Sequence, residues 1–176
     1  MTCSGVYVSV ESVSGSGPSD YDEFFTDMRP QLVGLGLALT GNSQVASDLA
    51  QEALLRSWVH WDKIRTYQDP NAWARRVLRN LAANHVRHLR RAPRPTPTED
   101  VPELDADRVA LLQALGHLPR QQREALVLHD GLGLTVAEVA VELSVPEGTV
   151  RSWLSRARAV LALILSAGDD ATEVIR

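Results

Sequence analysis

The sequence predicts an all-α protein built as two small helical domains joined by a flexible linker. Apolar residues recur at three- and four-residue spacing over most of the chain, which is helical periodicity. No segment alternates apolar and polar residues long enough to make a convincing strand; Val6 to Val13 alternates weakly, with nothing following to pair with it. A proline-rich acidic stretch divides two helical blocks. On these marks residues 1–18 form a disordered Ser/Gly-rich arm, 19–91 the first domain, 92–105 the linker, 106–165 the second domain and 166–176 a short acidic tail.

The first block reads as three helices. One runs from about Ser19 to Leu39, with Tyr21, Phe24, Phe25, Met28, Leu32 and Leu35 at helical spacing. Pro30 falls inside it and predicts a kink or a boundary. Thr40-Gly41-Asn42 stops it, glycine suiting the residue after a helix C-terminus. Ser43 to Trp61 is the second helix, with Val45, Ala46, Leu49, Ala53 and Leu54 facing inward. Asp69-Pro70 opens the third, aspartate as N-cap and proline at the first helical position. It continues to about Arg91, with Trp73, Val77, Leu81 and Asn84 marking one face. Arg75, Arg76, Arg79, Arg87, Arg90 and Arg91 are distributed around its other faces.

The linker, APRPTPTEDVPELD, carries prolines at 93, 95, 97 and 102 and then acidic residues, a composition that favours extended backbone. Beyond it, Leu134 to Leu161 reads as a helix-turn-helix. Thr135 with Glu138 three residues on is a capping box. Val136, Val139, Ala140 and Leu143 form one face of the helix it opens, and Ser144-Val145-Pro146 breaks that helix. The next helix repeats apolar residues at Val150, Leu154, Ala157 and Leu161. At about 100° per residue, Arg151, Ser152, Ser155 and Arg156 lie away from that stripe. A short helix, a tight turn and a helix with a polar, basic outer face is the geometry that enters a major groove.

Net charge is −4, but it is unevenly spread. Residues 1–62 carry −6, residues 63–94 carry +8, residues 95–118 carry −4 and residues 119–176 carry −2. One strongly basic segment inside an acidic chain points to a local phosphate-binding surface rather than general affinity for DNA. The acidic remainder makes the free protein a poor DNA binder, which implies a partner that brings it to DNA. No apolar run approaches the roughly 20 residues of a membrane span, and the N-terminus lacks the basic start and apolar stretch of a signal peptide. Lone Cys3 has no partner for an internal disulfide. His60, His85, His88, His117 and His129 show no zinc-ligand pattern, and Asp and Glu are scattered. A cytoplasmic protein without metal or other cofactor, and without catalytic residues, is expected.

Trp58, Trp61, Tyr67 and Trp73 fall at the junction of the second and third helices. Rings beside arginines suit unpaired bases, because aromatics stack on bases while guanidinium groups hold phosphates. Trp58 and Trp73 are expected to fill the core instead. Tyr67, in the polar loop KIRTYQD, is the better candidate for base contact.

Three stretches carry a family resemblance. ASDLAQEALLRSW (Ala46 to Trp58) resembles the second conserved region of bacterial RNA polymerase sigma factors. NAWARRVLRNLAANHVRHLRR resembles the adjoining strand-opening and −10-reading region. Leu118 to Leu161, with LPRQQREALVL and PEGTVRSWLSRAR, resembles the fourth region. Ordered this way, with no room for a middle domain, the chain resembles the extracytoplasmic-function (group IV) sigma factors, in wording an actinobacterial branch.

The resemblance implies a region 2-like helical bundle, a region 4-like helix-turn-helix and a role in transcription initiation without enzymatic activity. Core RNA polymerase and promoter DNA are the implied partners, with an anti-sigma factor as a further one and no membrane insertion. It assigns Asp48, Gln51, Glu52 and Arg56 to docking on the polymerase. Tyr67, Trp73, Arg76, Arg79, Asn80 and Arg87 are assigned to the −10 region, and Arg151, Ser152, Ser155 and Arg156 to the −35 element. Arg158 is expected on phosphate, fixing register rather than sequence, and Arg120 and Arg123 are candidates for the same. Trp153 stands where relatives commonly carry arginine and is expected half buried. The competing reading is a free-standing helix-turn-helix regulator, which leaves the basic aromatic N-terminal helices unexplained; a nuclease lacks its metal or acid–base cluster.

Overall fold

The computed structural model describes the backbone of residues 20–91 and 106–173. Residues 1–19, 92–105 and 174–176, which hold the predicted arm, the helix start at Ser19, the linker and the end of the tail, and the side chains at 90, 91, 106 and 166–173 lie outside that description. The described residues are helical, without a strand. They form α1 (Asp20–Thr40), α2 (Ser43–Val59), a single turn α3 (Trp61–Ile64), α4 (Pro70–Arg91), α5 (Ala106–Gly116), α6 (Arg120–Leu126), α7 (Val136–Leu143) and α8 (Glu147–Glu173). A π-helical turn, Val127–Gly131, follows α6.

Local chemistry sets the boundaries. Asp20, Asp22 and Glu23 occupy the first turn of α1, where carboxylates meet the positive end of the helix dipole. α1 continues through Pro30 to Thr40 rather than ending there; Pro30 is exposed, so water reaches the backbone it leaves unpaired. Gly41 adopts φ 69° and returns its N–H to the Leu37 carbonyl at 2.8 Å, the predicted helix stop. Asn42 then caps α2, its side chain accepting from the Val45 N–H at 2.9 Å. α2 ends at Val59, two residues before the predicted Trp61, and Trp61 starts α3 instead. At the other end of the chain α8 runs to Glu173, so the segment expected as an acidic tail begins as helix.

The first block packs α1 against α2, with α4 across both. Gly36 meets Ala46 so closely that a side chain there would press on its Cα and Cβ at 3.2 Å. The Tyr21 hydroxyl, whose ring is buried, donates to the Leu54 carbonyl at 2.7 Å. Ala74, Leu78 and Ala82 are the most deeply buried face of α4. The predicted face is therefore displaced by one residue: Trp73, Val77 and Leu81 are partly buried and Asn84 is exposed. Small alanines let α4 lie close to α1 and α2, which the bulkier residues beside them would prevent.

The second block folds α5, α6 and α7 around α8, with Leu128, Val139, Val150 and Ala157 fully enclosed. The two blocks do not stand apart. α1 also contacts α5 and α6, and one continuous cluster of buried apolar residues runs from Tyr21 to Ala157. Arg123 donates to the Leu39 carbonyl of α1 at 3.3 Å, and to those of Gly116 and Leu118 at 3.1 and 3.0 Å. Arg120 reaches the Arg79 carbonyl of α4 at 3.4 Å. Burial raises the affinity gained by such contacts because few water molecules compete for the carbonyls.

Candidate nucleic-acid interface

The helix-turn-helix takes the predicted form. The Thr135 hydroxyl accepts from the Glu138 N–H at 3.2 Å while Glu138 accepts from the Thr135 N–H at 2.7 Å, closing the capping box. The Thr135 N–H and the Thr135 hydroxyl, which also donates to the Glu138 carboxylate at 2.7 Å, hold that carboxyl below the usual carboxylate range. α7 ends at Ser144, which adopts the left-handed conformation (φ 57°). The Val145 N–H then returns to the Ala140 carbonyl at 3.0 Å, closing the turn.

On α8, Val150, Leu154 and Ala157 are buried and Trp153 is partly buried against the core. Arg151, Ser155 and Arg156 are exposed and Ser152 is half-buried, as the helical arithmetic predicts. Arg151 is paired within its helix to Glu147 at 2.6 Å, an exposed contact that a phosphate or guanine can replace at little cost. Arg158, which the sequence assigns to phosphate, already has an anionic partner within the protein. It grips Asp130 of the π-helical turn with two hydrogen bonds, so contact with DNA there requires exchanging that partner. Arg123 is likewise tied to carbonyls rather than offered to solvent.

α4 presents a second polar surface. Trp73, Arg76, Asn80 and Arg87 fall within about 60° of one another around a helix turning 100° per residue. Arg76, Asn80 and Arg87 are exposed, and Trp73 is half-buried with its ring edge-on to His60. Tyr67 is exposed in the loop preceding α4. Asn84, on the same stripe, accepts from Arg87 at 3.3 Å.

Arg79 belongs elsewhere. It lies between that stripe and the buried Ala74/Leu78/Ala82 face, where only 9 % of its side chain reaches solvent, and it faces Glu142 and Glu124 of the second block at 3.8 and 3.9 Å. Burial lowers its pKa from the ordinary value, the two carboxylates offsetting only part of that. Its neighbour Arg75, which sequence reasoning left among undifferentiated arginines, is buried beside it and bonds Glu142 at 2.8 Å. The missed signal was angular: both arginines flank the Ala74/Leu78/Ala82 stripe.

The aromatic residues separate into two groups. Trp61 packs on Tyr21 and Phe24, whereas Trp58 sits edge-on to Tyr21 and is 57 % exposed, against the expectation of a core residue. Asp48, Gln51 and Arg56 are exposed and Glu52 is half-buried, with Glu52 bonding Arg56 at 2.7 Å and Asp48 accepting from Gln44. This quartet frames Leu55, and with Trp58 and Val59 it makes an apolar patch with a charged border, each of the three being more than half exposed. Sequence reading listed the border and missed the centre, because an exposed leucine at helical spacing looks like any core position.

No cluster of histidine, cysteine and carboxylate side chains suited to a metal occurs among the described residues, and no described helix is long and apolar enough to cross a membrane.

Comparison with known proteins places both blocks. Residues 24–92 match sigma-70 region 2 and residues 108–161 match sigma-70 region 4. The chain is 34% identical to the ECF RNA polymerase sigma factor SigM of Mycobacterium tuberculosis over 152 residues, covering 82% of this chain and 76% of that protein. It is 29% identical to the probable RNA polymerase sigma factor RfaY of Xanthomonas campestris over 157 residues, 80% of this chain, and spans only 39% of that protein's length. The fold matches that of the sigma factor RpoE solved with the anti-sigma factor NepR from Bartonella quintana, with a TM-score of 0.71 at 24% identity over 84% of this chain and 97% of that one.

Proposed function

The chain belongs to the extracytoplasmic-function RNA polymerase sigma factors, and we propose that its promoter recognition is divided between the α4 stripe and the outer face of α8. It binds core RNA polymerase and directs it to promoters through −10 and −35 elements. In this reading Arg151, Ser152, Ser155 and Arg156 read the −35 duplex in the major groove. Each bidentate arginine–guanine pair discriminates by about 1–3 kcal/mol. Trp73, Arg76, Asn80 and Arg87, with Tyr67 before them, engage the separated −10 strand. Unstacking a base costs a few kcal/mol, and stacking on a ring returns about 1–3 kcal/mol per base.

Asp48, Gln51, Glu52 and Arg56 dock on the polymerase around Leu55, an apolar centre with a charged border as productive protein interfaces have. The chemistry belongs to the polymerase; this chain supplies the address and holds the strands apart, acting in the cytoplasm where the polymerase works. An anti-sigma factor such as the one bound by its structural relative completes the set of partners. The observation that carries the reading is the exposed polar and basic stripe on α4 beside half-buried Trp73, lying in the +8 segment of an otherwise acidic chain.

The test is reconstitution with bacterial core RNA polymerase and transcription from candidate promoters. Core-dependent, promoter-specific transcripts are expected. Tight binding to duplex without core, and no initiation with it, overturns the reading in favour of a free-standing regulator.

A further inference from the structure

We propose that Glu147 is a specificity-determining residue for the −35 element: with Arg151 it forms one ion-paired unit that reads both bases of a single G·C pair and fixes which strand carries the guanine. The inference rests on the assignment of α8 to the −35 duplex given above.

A carboxylate is out of place at the end of a helix that enters DNA, because phosphates repel it. Glu147 is the first residue of α8, the end from which a recognition helix meets base edges. Its side chain is 46 % exposed, and Arg151, one turn further on and 65 % exposed, donates to its Oε2 at 2.6 Å. The helix dipole favours a carboxylate in this first turn, yet that alone does not call for a grip on an arginine turned towards DNA. Four residues advance the helix by about 6 Å, and the ion pair brings the two charged groups together across that distance, at one level of the groove.

The pair matches one pattern of base edges. Across the major groove a G·C pair presents guanine N7 and O6 as acceptors and then the cytosine amino group as donor. Its complement is two donors followed by an acceptor. Arg151 supplies the donors, since a guanidinium has five N–H groups in a planar fork and one of them serves Glu147. Glu147 supplies the acceptor through Oε1, while Oε2 stays on Arg151. The ion pair thus remains closed on DNA, which neutralises the carboxylate and sets it beside the donors. An A·T pair presents acceptor, donor, acceptor and would set the adenine amino group against the guanidinium; a reversed C·G pair would set the cytosine amino group there. An arginine alone can swing to guanine on either strand, and the carboxylate on one side of it removes that freedom.

Gly148 adds a second observation. It lies about 100° round the helix from Glu147, away from the buried stripe, and a Cβ built there meets nothing within 4 Å. Packing within the protein does not require glycine at this position, whereas close approach of the helix end to base edges is served by it.

The experiment is transcription by the full chain with core polymerase from promoters randomised in the −35 element. Arg151→Ala marks the position read by Arg151, where its guanine preference disappears. Glu147→Ala should relax that same position, cutting the preference for G·C over C·G about tenfold and leaving the other positions unchanged. N4-methyl-dC at that position keeps the base pair but replaces the outward N–H. It should lower transcription about tenfold with the unsubstituted chain and leave transcription by Glu147→Ala unaltered. No change at that position in Glu147→Ala overturns the proposal. So does an equal rise on every sequence with a steeper salt dependence, which is what removing a carboxylate that only repels phosphate gives. If Arg151→Ala alters no position, the −35 assignment of Arg151 fails and the proposal falls with it.

Discussion

Arg158 of α8 holds both carboxylate oxygens of Asp130, at 3.0 and 2.6 Å across 28 residues of sequence, and so pins the π-helical turn to the helix proposed to read the −35 element. The hydrogen bond from Arg158 keeps the Asp130 carboxyl below its ordinary pKa of 3.8. A depressed carboxyl pKa means that the stabilisation is full above the ordinary value and fades as pH falls through the lower folded one. Asp130→Asn should therefore cost up to about 1 kcal/mol at neutral pH, the upper range for a partly exposed pair. It should also flatten the loss of stability on acidification below pH 4. Urea unfolding of both proteins at a series of pH values measures this, and parallel curves would refute it.

Ser144 occupies left-handed backbone at the turn between α7 and α8. A side chain there costs about 1–2 kcal/mol relative to the right-handed region, and glycine loses more entropy on folding by about 0.5–1 kcal/mol. Ser144→Gly should leave a net gain of about 0.5 kcal/mol, raising Tm by about 1–2 °C for a chain of this size. Calorimetry checks it; a lower Tm would show that the hydroxyl contributes more than the strain.

The patch centred on Leu55 predicts a separation of functions. Leu55→Asp should weaken binding to core polymerase by tenfold or more, about 1.4 kcal/mol, with little effect on Tm because the side chain is 55 % exposed. Competition for core against another sigma factor provides the measurement. Unimpaired binding would move the docking surface away from α2.

Asn80 and Arg156 lie on the two faces proposed to read the promoter and should fail at different promoter elements. Asn80→Ala is expected to reduce strand opening, read by permanganate reactivity of unpaired thymines, while leaving recruitment to closed promoter DNA intact. Arg156→Ala should lose sensitivity to base changes in the −35 element, with a loss of about 1–3 kcal/mol on the preferred sequence. Equal losses on every sequence would reassign Arg156 to phosphate.

Most of the helices were legible because their signals are local. Asn42, Gly41, the Thr135–Glu138 box and the break before Pro146 each satisfy or withhold backbone hydrogen bonds within a few residues, so the sequence displays them directly. The outward positions on α8 followed from one buried stripe and its opposite face. What local signals could not reveal was the packing of the two blocks on each other. That depends on arginines whose sequence context matches any solvated helix, and whose partners on the other block, Glu124 and Glu142, are distant in sequence. The burial of Arg79 was not legible for this reason, nor was the exposure of Trp58 for the converse one: an aromatic residue at helical spacing reads as core even where its ring lies on the surface. The buried face of α4 was displaced by one residue because three small or medium side chains, Ala74, Leu78 and Ala82, outweigh larger neighbours wherever backbones come close.

Arg123 joins the carbonyls of Leu39, Gly116 and Leu118, and so receives the C-terminal ends of α1 and α5 on a single cation. Each helix C-terminus carries about half a negative charge, and two aimed at one spot would repel. The guanidinium sits where those fields converge, against the burial that lowers its own pKa. Lysine would bring the charge but not the planar fork that reaches carbonyls in several directions at once. Arg123 thus ties the ends of α1 and α5 together through charge where apolar surfaces also pack.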